Sequence, residues 1–161
     1  MNTVKIKIFE FVEKYYNLKK DLDLKGKDYE GFIKFLYDQR NAALGDSLIN
    51  FIYSCAKSIA KQEMTGLKIA DTILLNGFLG SKLSSWLKLK GNKKDKANAI
   101  EALIFYTWLV YDFSIEEMTM NLLLNLGNNS FDSRFEEQRF VSTAFTTLFN
   151  SINLIISGNQ K

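Results

Sequence analysis

Two carboxylates stand where charge is out of place. From Asn41 to Ala56 the one charged residue is Asp46, and from Ala97 to Tyr111 the one charged residue is Glu101. Both runs carry apolar residues at helical spacing, and an ionised carboxylate rarely stays in such surroundings without a partner. Two kinds of partner are open: a divalent cation shared between two helices, or a lysine or backbone N–H for each acid separately. Helix geometry adds ligands to the first reading. Asp46 and Asn50 are i,i+4 neighbours and Asn98 and Glu101 are i,i+3 neighbours, so two short oxygen-bearing clusters can face one another. Asn carbonyls and waters are ordinary Mg²⁺ ligands beside one or two carboxylates, and a cation there would activate water and polarise a phosphodiester.

The sequence contains no histidine. That excludes a histidine general base, a Ser-His-Asp triad and an ordinary zinc site, and leaves carboxylates, amides, hydroxyls and lysines, which suit Mg²⁺ or Mn²⁺. The single cysteine, Cys55, cannot form an internal disulfide, and its apolar neighbours Ile52, Ala56 and Ile59 make it a small core side chain rather than a reactive thiol.

The net charge of +3 is unevenly distributed. Lys82, Lys88, Lys90, Lys93, Lys94 and Lys96 stand against one acid, Asp95, a local charge of +5 in a chain whose remainder is −2. Such a strip can hold phosphates; it can equally be a solvated loop.

The elements that must position these residues are helical, with no sustained period of two. Ile8, Phe11, Val12 and Tyr15 define an opening helix, Lys19 to Lys27 interrupts it, and Tyr29, Phe32, Ile33 and Leu36 begin the next. A long helix runs from near Asp38 to near Lys61 with Leu44, Leu48, Ile52, Cys55 and Ile59 in phase, ending before Thr65-Gly66. A further helix through Ile69, Ile73 and Leu83 is weakened or kinked by Gly77 and Gly80. After a basic loop at Gly91 to Lys93, the segment Ala97 to Tyr111 places Ile100, Leu103, Ile104, Thr107, Trp108 and Tyr111 on one face. Ser114 and Glu117 form a capping box for a helix stopping at Gly127, Asn128 to Asp132 is a loop, and Val141, Phe145, Leu148, Ile152 and Ile155 define a last helix ending at Gly158. The aromatics Phe32, Phe51, Phe105, Phe145 and Phe149 follow these periods and are assigned to the core. The expectation is one all-α domain over residues 1–161. No run approaches the roughly 18 uninterrupted apolar residues of a membrane span, and the first twenty or so residues do not read as a signal peptide, so a cytoplasmic protein without membrane contact is expected.

At the two carboxylates the chain resembles a known family. Asp38-Gln39-Arg40-Asn41-Ala42-Ala43-Leu44-Gly45-Asp46-Ser47-Leu48-Ile49 is similar to the ribonuclease III signature helix, N-E-R-L-E-F-L-G-D-[SA]-V-L. Asn98-Ala99-Ile100-Glu101-Ala102-Leu103-Ile104-Phe105 resembles the family's second element, D-x-x-E-A-L-I-G. The resemblance implies a helical nuclease fold of about seven helices, a homodimer formed along the Asp38–Lys61 helix, and Mg²⁺- or Mn²⁺-dependent cleavage of double-stranded or structured RNA. It makes Asp46 and Glu101 the catalytic carboxylates, and Asn50 and Asn98, brought beside them by helix spacing, complete the expected metal ligands. Ala42 and Asn98 stand where the family carries a Glu and an Asp, and Glu63 lies near the place of a further family acid. The chain also resembles compact archaeal proteins of this type and the Mini-ribonuclease III class, which lack an appended RNA-binding domain, so the lysine strip is the expected RNA contact. The depleted acid set leaves a second reading, a catalytically inactive ribonuclease III-like dimer that binds RNA or a protein partner. A third, a helical interaction domain unrelated to RNA, also stands.

Overall fold

The computed structural model describes residues 3–18, 28–127 and 133–158. Among these there is no strand and there are eight helices: α1 (Thr3–Tyr16), α2 (Asp28–Leu36), α3 (Gln39–Lys61), α4 (Asp71–Leu79), α5 (Leu83–Trp86), α6 (Lys93–Val110), α7 (Ile115–Leu126) and α8 (Arg134–Gly158). The all-α expectation holds. The helix beyond the expected seven is α5, a single turn after the Gly80-Ser81 break. The interrupting stretch Lys19 to Lys27 and the loop Asn128 to Asp132 fall outside the described residues.

The centre of the fold is α6, packed against α2, α3 and α4. It starts at Lys93, earlier than Ala97, because Asn92 and Asp95 form a capping box: Asn92 Oδ1 accepts from the Asp95 N–H at 3.0 Å and Asp95 Oδ2 from the Asn92 N–H at 2.9 Å. The expected one-faced stripe is instead burial all round, every residue from Ala99 to Thr107 being buried, which the small residues Ala97, Ala99 and Ala102 permit by letting neighbours close in. Thr107 is accommodated because its hydroxyl donates to Leu103 O at 2.8 Å.

Two helical faces differ from their sequence reading. On α1 the buried residues are Lys5, Phe9, Val12 and Tyr16, with Phe11 and Tyr15 exposed. On α3 the buried face is Ala42, Gly45, Ile49, Ile52, Tyr53 and Ala56, so Leu44, Phe51 and Ile59 point outward and Leu48 and Cys55 are half-buried. Phe51 is therefore not a core aromatic. Both helices carry apolar residues on two sides, and on α3 the inward side is the one whose backbone closes on α6 at Gly45.

Gly77 does not kink α4. A Cβ there would lie 2.7 Å from Phe145 Cβ, so its lack of a side chain lets α4 seat against α8. Arg134–Gly158 is long and apolar enough by length and composition alone to cross a bilayer. Its apolar positions Val141, Ala144, Phe145, Leu148, Phe149, Ile152 and Ile156 are nevertheless buried in the core, where α8 meets α4 and α7. Two buried lysines tie the periphery: Lys57 on α3 pairs with Glu137 on α8, and Lys5 pairs with Asp112 beside Trp108.

Candidate metal centre

Four segments meet around Glu101. It projects from the middle of α6, is 4% exposed, and makes no hydrogen bond or ion pair among the described residues. Burial first, and then the negative charge of Asp46, push its carboxyl from 4.5 up to about 7. Lys94 and Lys68 oppose this shift and Asp71 adds to it, so these charges share one neighbourhood.

Asp46 enters from α3 beside Gly45. It is held rather than free: Asn50 Nδ2 donates to Asp46 Oδ1 at 2.8 Å, and Lys68 Nζ lies 3.7 Å from Asp46 Oδ2. Asn50 was expected to offer an oxygen, but that oxygen already accepts the Ile69 N–H at 2.8 Å. In this arrangement Asn50 is a brace between Asp46 and the segment leading into α4. Asn98, the other amide expected here, lines a small pocket with Ala42, Tyr37, Asp38 and Asp95, a lining that includes neither Asp46 nor Glu101. The two positions where the family resemblance expects further acids, Ala42 and Asn98, thus adjoin one another. The four-oxygen cluster Asp46, Asn50, Asn98 and Glu101 resolves into a carboxylate pair, a brace and a neighbour one turn away.

Asp71 was not singled out in the sequence. It occupies the first turn of α4, is partly buried, and has Lys94 Nζ 3.5 Å from its Oδ2. An acid at a helix start is ordinary, so only its approach to Glu101 reveals it. Glu63, the looser candidate, is exposed at the end of α3.

The lysines of the strip differ in what they contact. Lys93 and Lys94 turn back to the site, Lys93 Nζ donating to Thr72 Oγ1 at 2.5 Å. Lys88 Nζ donates to Ser84 O at 2.7 Å, closing the α5 turn; Lys82 and Lys90 are exposed and Lys96 is half-buried.

A buried, unpartnered carboxylate beside a second one fits a hard divalent cation: Mg²⁺ commonly takes one or two carboxylates and completes its shell with water and substrate phosphate. Among the described residues no group of three or more acidic, histidine or cysteine side chains is arranged to hold a metal. The carboxylates whose charges reach one another here are Glu101, Asp46 and Asp71.

The family model described as Ribonuclease III matches residues 39–157, most of the chain, from the start of α3 to the end of α8. No curated protein matches the chain.

Proposed function

Since the chain belongs to the ribonuclease III family, we propose that it is an endoribonuclease that hydrolyses phosphodiesters of double-stranded RNA with Mg²⁺ or Mn²⁺ held by Asp46 and Glu101. The observation that carries this reading is Glu101, a carboxylate 4% exposed, without a described partner, beside the charge of Asp46. A bound divalent cation supplies activation of water and charge neutralisation at the phosphodiester. The chain's own residues do the rest. Asn50 fixes the rotamer of Asp46, Glu101 gives up its proton when a cation replaces the missing countercharge, and Lys93 and Lys94 offer ammonium groups to the phosphates flanking the cut. The outward stripe of Leu44, Phe51 and Ile59 on α3 is the surface through which two copies would pair.

Labelled duplex RNA incubated with Mg²⁺ or Mn²⁺, with and without chelator, tests the reading. Cation-dependent cutting is expected, and Asp46→Asn should abolish it with the fold intact; cutting unchanged in that variant removes the assignment. The Ala42–Asn98 pocket favours a second reading, in which the same dimer binds RNA or a protein partner without cutting it. Salt-dependent duplex binding with no cleavage under either cation would select that one.

A further inference from the structure

Between α4 and α8 runs a groove of about 340 Å³, within the range of sites that accept a small ligand. Its lining carries one cation, Arg139, and no carboxylate. The hydroxyls of Thr143 and Thr146 are already committed to backbone carbonyls, donating to Arg139 O at 3.1 Å and Gly77 O at 3.0 Å. The polar heads left over are those of Asn76, Gln138, Arg139 and Ser142, none of which has a described side-chain partner. Phe135, 75% exposed, lines the same groove with the half-buried Ile73. The lining also includes Thr72, which follows Asp71 in the chain and accepts from Lys93, so the groove adjoins the carboxylate site.

This combination suits a nucleotide outside a duplex. In paired RNA the base faces are stacked and the pairing edges are occupied, so an exposed ring and two amides find little to bind there beyond backbone. An unpaired nucleotide offers a face for Phe135, edges for Asn76 and Gln138, and phosphates for Arg139 and Lys93. We propose that the α4–α8 groove binds an unpaired ribonucleotide of the RNA strand next to the cleavage site. This rests on the RNA-cleaving reading above, and it adds that the substrate is a duplex bearing an unpaired segment.

The test is binding of a short labelled single-stranded RNA to the whole protein in chelator, read by fluorescence anisotropy. Phe135→Ala and Arg139→Gln, both at exposed positions, should each weaken binding about tenfold, in line with the loss of one stacking or charged contact. Lys7→Gln, which removes an equal charge from α1 outside the groove, should stay within about twofold. The proposal is overturned if the parent does not bind, if Phe135→Ala binds like the parent, or if an abasic strand of the same length binds equally well. Because no cation is present, the outcome is independent of catalysis: a parent that binds the strand but never cuts duplex RNA keeps the groove and loses the nuclease, and one that cuts but ignores the strand does the reverse.

Discussion

A Cβ on Gly45 would lie 1.9 Å from the carbonyl oxygen of Glu101. The backbones of α3 and α6 touch there, and the two acids that sequence marks as out of place are carried by that contact. Nothing larger than glycine fits, because the obstructing atom belongs to the main chain of a helix buried on all sides and cannot swing away.

Gly45→Ala must therefore wedge α3 from α6. A loss of about 3 kcal/mol is expected, a fall of roughly 5–10 °C in Tm, together with loss of any stabilisation by Mg²⁺, since Asp46 moves away from Glu101. Thermal denaturation with and without Mg²⁺ checks both; an unchanged Tm would contradict the contact.

Glu101 gives the protein a pH dependence whose sign follows from its raised pKa. Between about pH 4.5 and 7 the unfolded chain loses this proton while the folded chain retains it. Stability of the cation-free protein therefore falls as pH rises through that window, by on the order of 2–3 kcal/mol from this group. Glu101→Gln should raise Tm in chelator at about pH 8 and give no gain at about pH 4.5. Mg²⁺ should stabilise the parent and not the variant. A gain of equal size at both pH values would mean that the site does not strain the carboxylate.

Lys93→Gln with Lys94→Gln removes the two ammonium groups that turn toward α4. Duplex binding should weaken alike for all sequences, and the slope of log K against log salt should flatten by up to about 2. Because uniform binding is what is lost, cleavage at saturating RNA should stay within a few-fold of the parent while KM rises. Lys88→Gln should do less, as that ammonium is engaged with Ser84 O. A salt slope identical to the parent's would place RNA elsewhere on the surface.

The α3 stripe predicts a dimer at micromolar concentration by light scattering. Phe51, 56% exposed between Leu44 and Ile59 on one face, is its centre. Phe51→Glu should yield a folded monomer with unchanged helix content; a monomeric parent would contradict the pairing surface.

The parts of this site that were legible in sequence are those where chemistry conflicts with surroundings. Asp46 and Glu101 stand out because each is a lone charge in an apolar run, and the Ser114–Glu117 capping box is a local pattern that the structure retains. Asp71 carries no such conflict, being an ordinary acid at a helix start that matters only through the approach of α4 to α6. The inward faces of α1 and α3 escape a sequence pattern for a related reason. Phe11 and Tyr15 continue a helical period as well as Phe9, Val12 and Tyr16 do, and periodicity cannot choose between two apolar sides. Gly45 makes that choice on α3, through a backbone contact 56 positions away along the chain. The start of α6 lies four residues before its apolar run, because Asn92 and Asp95 cap the helix within a lysine-rich stretch that carries no apolar period.

Asn50 binds the Ile69 N–H within residues 62–70, a stretch with no helix of its own, while Glu101 lies on the helix buried on every side. Amide hydrogen exchange should then divide the site in two. The α6 amides around Glu101 should exchange only through global unfolding, whereas the amides leading into Asp71 should open through a cheaper local excursion that breaks the Asn50 brace. Such a division would let Asp71 part from the neighbourhood of Glu101, and return, while α6 stays folded.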